Sequence, residues 1–313
     1  MIPQRDHGPA IGWRRVASGP RGGDNGRGGA APRVVAPAPR FERMIHLIVT
    51  AGLGNRMRSI ASAIALGRET GMPVRIDWHL NRGCNAPFGT LFRDIPAVRV
   101  DDLDRIRLRP RALLRRAVTA ARIRAGYYDL VLGDPEIVEA ARSGSVAGLV
   151  RSRRRVLLNT FHRFHGSAPF FRDFIPADAV RDRADAESAN LDREYVGVHV
   201  RRTDHAEAIR HSPLGAFVAE MRRRLEERDT LFFLATDDDG VEAELRRQFP
   251  GRIRTAARTR GRDTPDGIRD ALVDLVILSR ARLILGSYWS SFSRTAAEWG
   301  GIPVVTIRSG DPP

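Results

Sequence analysis

The sequence predicts an α/β protein with two Rossmann-like domains facing across a cleft. Short, continuously apolar runs alternate with segments of helical periodicity, as in parallel sheets covered on both faces. The alternation occurs twice, once from Met44 and again from near Glu194. A chain of 313 residues is also long enough to fill two cores. In open sheets of this kind ligands lie beyond the carboxyl ends of the strands, so the residues just after each strand are the candidates for function.

Taken in order, residues 1–43 are rich in Gly, Pro, Ala and Arg and show no apolar period. They are expected to be disordered, and they lack the apolar core of a secretion signal. Met44 opens a strand directly, which makes it a candidate for the true start. The strand Met44–Thr50 leads into the turn Gly52-Leu53-Gly54-Asn55-Arg56. A helix follows from about Arg56 to Thr70, with Met57, Ile60, Ile64 and Leu66 as its apolar stripe. Gly71 ends it, and Pro73–Trp78 reads as the next strand. Between about Asn81 and Asn190 the pattern is weak, with a short strand at Val156–Asn159 and a loop at Phe161–Gly166. The segment Trp78–Phe92, with Cys84 and Phe88, either faces an acceptor or packs between the domains.

The second unit is clearer. Strands are expected at Tyr195–Val200, Leu231–Ala235, Ile253–Thr255, Leu283–Leu285 and Val304–Ile307. Helices are expected at about Pro213–Glu227, Gly240–Gln248, Gly267–Ser279 and Ser291–Trp299. The domain division expected is therefore a 1–43 extension, an N-terminal α/β domain at 44–190 and a C-terminal Rossmann-like domain at 191–313.

Composition narrows the function classes. The net charge is +15, but every basic residue is arginine and none is lysine. Residues 1–43 hold eight arginines against three acidic residues, and the rest of the excess is spread along the chain. A nucleic-acid binder would concentrate that charge on one face, often beside aromatics, so no nucleic-acid partner is expected. The single cysteine, Cys84, rules out an internal disulfide and a four-cysteine metal site. No run approaches the ~18 apolar residues of a spanning helix. A cytoplasmic location is expected, with peripheral contact at the inner face of a membrane left open.

Three strand ends carry polar residues suited to chemistry. Arg201-Arg202-Thr203-Asp204 follows the strand that ends His199-Val200. A guanidinium fork matches phosphate oxygens, although an ion pair closing a strand end is the plainer reading. Ser290-Ser291-Phe292 enters a helix, where unpaired first-turn amides make either an anion site or an ordinary cap. Asp237-Asp238-Asp239 has the look of a divalent-cation motif, yet it lies between a strand and a helix, where capping is favoured. The turn at Gly52–Arg56 lacks the third glycine and the ribose-binding acid of a dinucleotide fingerprint.

In combination these strings resemble the α1,6-fucosyltransferase superfamily, which includes rhizobial nodulation fucosyltransferases and protein O-fucosyltransferases. The resemblance rests on Gly52–Arg56, on Val198-His199-Val200-Arg201-Arg202-Thr203-Asp204, on Leu234–Asp238, and on Asp274–Ser279 followed by Ser290–Ser293. It implies a GT-B-like fold, a role in carbohydrate metabolism, and inverting transfer of fucose from GDP-fucose to a glycan or protein hydroxyl. It implies no metal and no cofactor beyond the donor. Donor-binding residues would be Gly54, Asn55, Arg56, His199, Arg201, Arg202, Asp274, Ser290, Ser291 and Phe292. Arg201 would hold the β-phosphate, Asp274 the guanine, and Arg202 with Asp204 would shape the loop. The base expected after the arginine pair falls on Ile209, so Glu207 or Asp204 is left to deprotonate the acceptor. The alternatives are a transferase for another nucleotide sugar and a non-catalytic carbohydrate-binding homologue.

Overall fold

The computed structural model describes residues 43–104, 110–166, 171–191, 194–202, 206–257, 259, 261 and 263–309. The disorder expected before Arg43, and the role expected of Asp204, lie outside these residues.

The first half contains β1 (Met44–Val49), α1 (Leu53–Thr70), β2 (Val74–Leu80), β3 (Val98–Asp104), α2 (Pro110–Arg124), β4 (Leu130–Leu132), α3 (Asp134–Arg142), α4 (Val146–Arg151), β5 (Arg155–Asn159) and α5 (Asp178–Glu187). Its five strands form one parallel sheet in the order β3-β2-β1-β5-β4. The second half contains β6 (Val196–Val200), α6 (Ala206–His211), α7 (Leu214–Glu227), β7 (Phe232–Thr236), α8 (Asp239–Gln248), β8 (Ile253–Arg254), α9 (Pro265–Leu278), β9 (Leu283–Ser287), α10 (Ser291–Gly300) and β10 (Val304–Ile307). These strands also pair in parallel, in the order β10-β9-β6-β7-β8.

The central strands read as they do because both their faces are covered. All five residues of β6, Val-Gly-Val-His-Val, are buried, as are those of β7 and β9. Such strands need continuous apolar sequence rather than alternation. Helix α1 stops where Gly71 takes a left-handed φ of 66°, a conformation that costs glycine little. Helix α9 starts where Thr264 accepts a hydrogen bond from the Gly267 amide at 3.1 Å.

One sequence expectation is corrected, and one left open between two readings is decided. Helix α1 begins at Leu53, so Gly54, Asn55 and Arg56 lie within its first turn instead of in a loop before it. The segment Trp78–Phe92 is packed, with Trp78, Cys84, Ala86, Phe88 and Phe92 all buried. The Trp78 indole donates to the Ala86 carbonyl at 2.8 Å and meets Phe88 edge-on at 5.5 Å.

One apolar cluster runs from the first sheet through α1 to α9 and the facing side of the second sheet, and a second covers the other side of that sheet. Helix α5 packs on α9, and α1 crosses α10. These two helix pairs knit the halves together and hold the cleft between them.

Candidate functional site

Each sheet has a topological switch point, where the chain leaves a central strand in opposite directions. In the first sheet it lies between β1 and β5, and in the second between β6 and β9. Ligands of open parallel sheets sit in the crevice just beyond such points. Here the two crevices face one another and merge into a cavity of about 650 Å³. Residues following β1 (Gly52–Asn55) and β5 (Phe161, His162) line one wall. Residues at or following β6 (His199, Arg201), β7 (Thr236, Asp237) and β9 (Trp289–Phe292) line the other, with Asp270 and Asp274 from α9.

The β6 end is the most constrained. Arg201 donates its backbone amide to Ser287 Oγ at 2.9 Å, and its Nη1 lies 2.9 Å from Asp237 Oδ2. Asp237 also takes the Arg202 amide on Oδ1 at 2.8 Å. One carboxylate thus fixes both the backbone and the guanidinium of the loop. His199 is buried, with Nδ1 3.3 Å from Ser290 Oγ and its ring 4.9 Å from Phe292. Ser290 in turn caps α10 by accepting the Phe292 amide at 3.3 Å. The first-turn amides and positive dipole end of α10 face the cavity beside Arg201, an arrangement suited to a multiply charged anion.

Gly286 and Gly54 make the close approaches that build this wall. A Cβ on Gly286 would come within 2.6 Å of Ser293 Oγ, so its absence lets α10 press onto β9. A Cβ on Gly54 would come 3.1 Å from Thr295 Oγ1 and 3.3 Å from the Ser291 carbonyl. Gly54 therefore sets the α1–α10 crossing as well as lining the cavity.

The expected donor residues separate into two groups. Gly54, Asn55, His199, Arg201, Asp274, Ser290, Ser291 and Phe292 all line the cavity. Arg56 and Arg202 are absent from its lining. Arg56 is fully buried; it donates to the carbonyls of Ala51 and Thr50 and to Asn81 Oδ1, and its guanidinium lies 4.6 Å over Trp78. It braces the β1 turn from behind, because its position in the first turn of α1 points inward. Arg202 donates to the carbonyls of Arg201 and Ser212 at 3.0 and 2.9 Å, which is a loop-shaping role. Burial pushes its guanidinium pKa down, against the raising fields of Asp237 and Asp238.

Glu207 is likewise absent from the lining. It sits on α6, partly exposed, 3.1 Å from His211 Nε2 in an i,i+4 pair. The Asp237–Asp239 string divides its labour. Asp238 caps α8 by accepting the Val241 amide at 3.1 Å, as capping predicts, but Asp237 belongs to the cavity and to Arg201. Among the described residues no group of three or more His, Cys, Asp or Glu side chains has the geometry of a metal site.

Sequence reasoning gave no site role to several lining residues, five of which carry chemistry or shape. Arg58 lies one turn along α1 from Asn55, and Arg294 one turn along α10 from Ser290. Both face the cavity, and the helical spacing would have revealed them. Burial lowers the Arg58 pKa most; Glu298 opposes this, while Arg294 and Arg163 add to it. Phe161 and His162 pack ring to ring at 4.3 Å on the same wall. Trp289 stands at the mouth, 65% exposed, with a left-handed φ of 55° and its ring parallel to Tyr288 at 5.8 Å. Such a φ is costly for a tryptophan and is typical of residues held for function.

No family model and no curated protein matches the chain. Solved structures do. A structure of NodZ α1,6-fucosyltransferase soaked with GDP-fucose is 21% identical, covers 87% of this chain and 97% of its own, and has a TM-score of 0.61. The fucosyltransferase NodZ from Bradyrhizobium matches at 21% identity over 87% and 96%, with a TM-score of 0.58. A mutant of Arabidopsis thaliana FUT1 in complex with GDP matches at 14% identity over 86% and 71%, at 0.55. POFUT1 in complex with GDP-fucose matches at 13% identity over 85% and 98%, at 0.52. At these identities the likeness is one of architecture: the chain has the two-sheet, GT-B-type α/β fold of these fucosyltransferase structures.

Proposed function

We propose that this chain is a glycosyltransferase that moves fucose from GDP-fucose to a hydroxyl of a glycan or protein acceptor, with inversion and without a metal ion. The observation that carries the reading is Arg201, held by Asp237 at the β6–β9 switch point beside the N-terminus of α10. A fixed guanidinium and an aligned set of amides stabilise charge on a departing diphosphate as a cation would. The fold supports the same reading, since structures that share it hold GDP or GDP-fucose. In this scheme residues 191–313 form the donor side and 44–190 the acceptor side.

The acceptor oxygen attacks the anomeric carbon of fucose from the face opposite the diphosphate. The bond from that carbon to the β-phosphate oxygen breaks, and GDP leaves with the electron pair. Arg201 and the α10 amides receive the developing charge, while Asp274 and His199 hold the nucleoside end. The acceptor proton passes to a carboxylate, assigned to Asp204, three residues along the chain from Arg201. A second reading, a carbohydrate-binding homologue without turnover, is favoured by the position of Glu207 outside the cavity lining.

Calorimetric titration of GDP, in chelator, against the wild type and Arg201→Ala tests the donor site. Micromolar binding weakened about 10- to 100-fold by the substitution is expected, the worth of a charged hydrogen bond. A folded wild type that ignores GDP sinks the reading, and binding that needs a divalent ion sinks its metal-free part. GDP-fucose hydrolysis then separates an enzyme from a binding homologue.

A further inference from the structure

Helix α2 is mounted with its apolar face outward. At helical spacing Leu113, Leu114, Ala117, Val118 and Ala121 fall on one stripe, and in most surface helices such a stripe packs on the core. Here Leu113 is 48% exposed, Leu114 65% and Val118 37%, while Ala117 and Ala121 are exposed as well. The side that faces the protein is polar. Arg115 Nη2 lies 2.9 Å from Asp101 on β3, and the Arg122 guanidinium sits 4.9 Å over the Tyr127 ring. The helix is thus anchored by its arginines and presents its leucines to solvent.

Its charge is as one-sided as its orientation. The segment Pro110–Arg124 contains five arginines and no acidic residue. A helix that is rich in arginine, with leucine along the other face, is built to lie in the headgroup–acyl boundary of an anionic bilayer. We propose that α2 docks the first half of this chain on an anionic membrane surface. Leu113, Leu114 and Val118 enter the boundary, and Arg124, exposed at the end of the helix, pairs with anionic headgroups.

Other occupants fit less well. A second copy meeting α2 to α2 would set two acid-free, arginine-bearing helices against each other. The segment 1–43 brings eight arginines against three acidic residues and so carries the same sign. A nucleic acid would satisfy the arginines but leave the leucines and Val118 in water. Among the described residues no helix is long and apolar enough to cross a membrane, so the contact proposed is peripheral. It stands independently of the donor site.

The test is co-sedimentation of the full chain with vesicles of phosphatidylcholine alone, or of phosphatidylcholine with phosphatidylglycerol. The wild type is expected to favour the anionic vesicles by about tenfold or more, and added salt should weaken the binding. The double variant Leu114→Asp/Val118→Asp, changed only at exposed positions, is expected to lose about tenfold in partitioning while keeping its melting temperature and GDP titration. A second variant, Leu114→Trp, should bind more tightly and shift its added fluorescence to the blue on anionic vesicles. The proposal is overturned if the wild type stays in the supernatant, or if both variants partition like it. It is equally overturned if sedimentation velocity shows a wild-type dimer that the double variant splits, or if RNA is retained where vesicles are not.

Discussion

At the switch point of the second sheet, Arg201, Asp237, His199 and Ser290 turn toward the cleft and hold one another through side-chain contacts. At the switch point of the first sheet, the comparable turn after β1 offers glycine backbone and Asn55, and its arginine, Arg56, turns away into the core. The first half uses its polar groups for structure. His46 on β1 is buried between Tyr128, at 2.6 Å from Nδ1, and Asp77, at 3.1 Å from Nε2. Burial alone would raise the Asp77 carboxyl, but the hydrogen bond and field of His46, with Arg115 and Arg75 behind it, hold it below its usual range. Two units of one topology thus serve different ends. One is a cradle closed by an ion pair, while the other is a wall of glycine backbone, Asn55, His162 and Arg58 in front of a buried polar network.

The comparison breaks most readily at Arg56. Arg56→Met removes the side-chain donor to the Ala51 carbonyl and one of the donors to the Thr50 carbonyl and to Asn81 Oδ1, and takes the guanidinium off the Trp78 ring. A loss on the order of 3 kcal/mol in unfolding free energy is expected, read from the urea midpoint. The fraction that stays folded should still bind GDP with wild-type affinity. A variant of normal stability that fails to bind GDP would instead make Arg56 a ligand contact, and the two crevices would be alike after all.

Gly54 tests the seam between the halves. Gly54→Ala gains helix propensity worth about 1 kcal/mol but drives a methyl toward Thr295 and the Ser291 carbonyl. The two effects nearly offset in stability. The displacement falls on the first turn of α10, so GDP affinity should drop about fivefold, roughly 1 kcal/mol. An unchanged titration would show that the α10 amides do not contact the diphosphate.

How much of this was legible in the sequence follows the same division. The second half was readable because its strands are continuously apolar and its polar residues come in strings at strand ends. His199, Arg201 and Ser290 could be picked out before any coordinates. The first half was harder. β4 has only three residues, and α2 carries its apolar stripe outward, so periodicity there did not report a core. Arg56 and Asp237 were misjudged for one reason: residue type does not reveal direction. Arg56 and Arg58 are two residues apart on α1, about 200° around the helix, so one points into the core and the other into the cleft. Asp237 stands one residue before the cap at Asp238, close enough to look like part of it. The stripe itself holds the answer, since Arg56 stands four residues before Ile60 and eight before Ile64 and so shares their buried face.

The smallest effect is expected at Glu207, and it is informative because it is small. An acceptor base contributes about 10²- to 10⁴-fold. Glu207 instead spends its carboxylate on His211, on a partly exposed turn of α6 away from the cavity lining. An exposed pair of this kind contributes little to stability. Glu207→Gln should therefore leave the melting temperature unchanged and the rate of fucosyl transfer within about twofold of wild type. Asp204→Asn, compared in the same assay with an acceptor present, should lower transfer by at least about a hundredfold while hydrolysis and GDP binding persist. If the Glu207 variant loses transfer and the Asp204 variant keeps it, the base lies on α6. That helix would then have to turn toward Arg201 when the donor binds, and the charged crevice of the second half would be a site completed by its ligand.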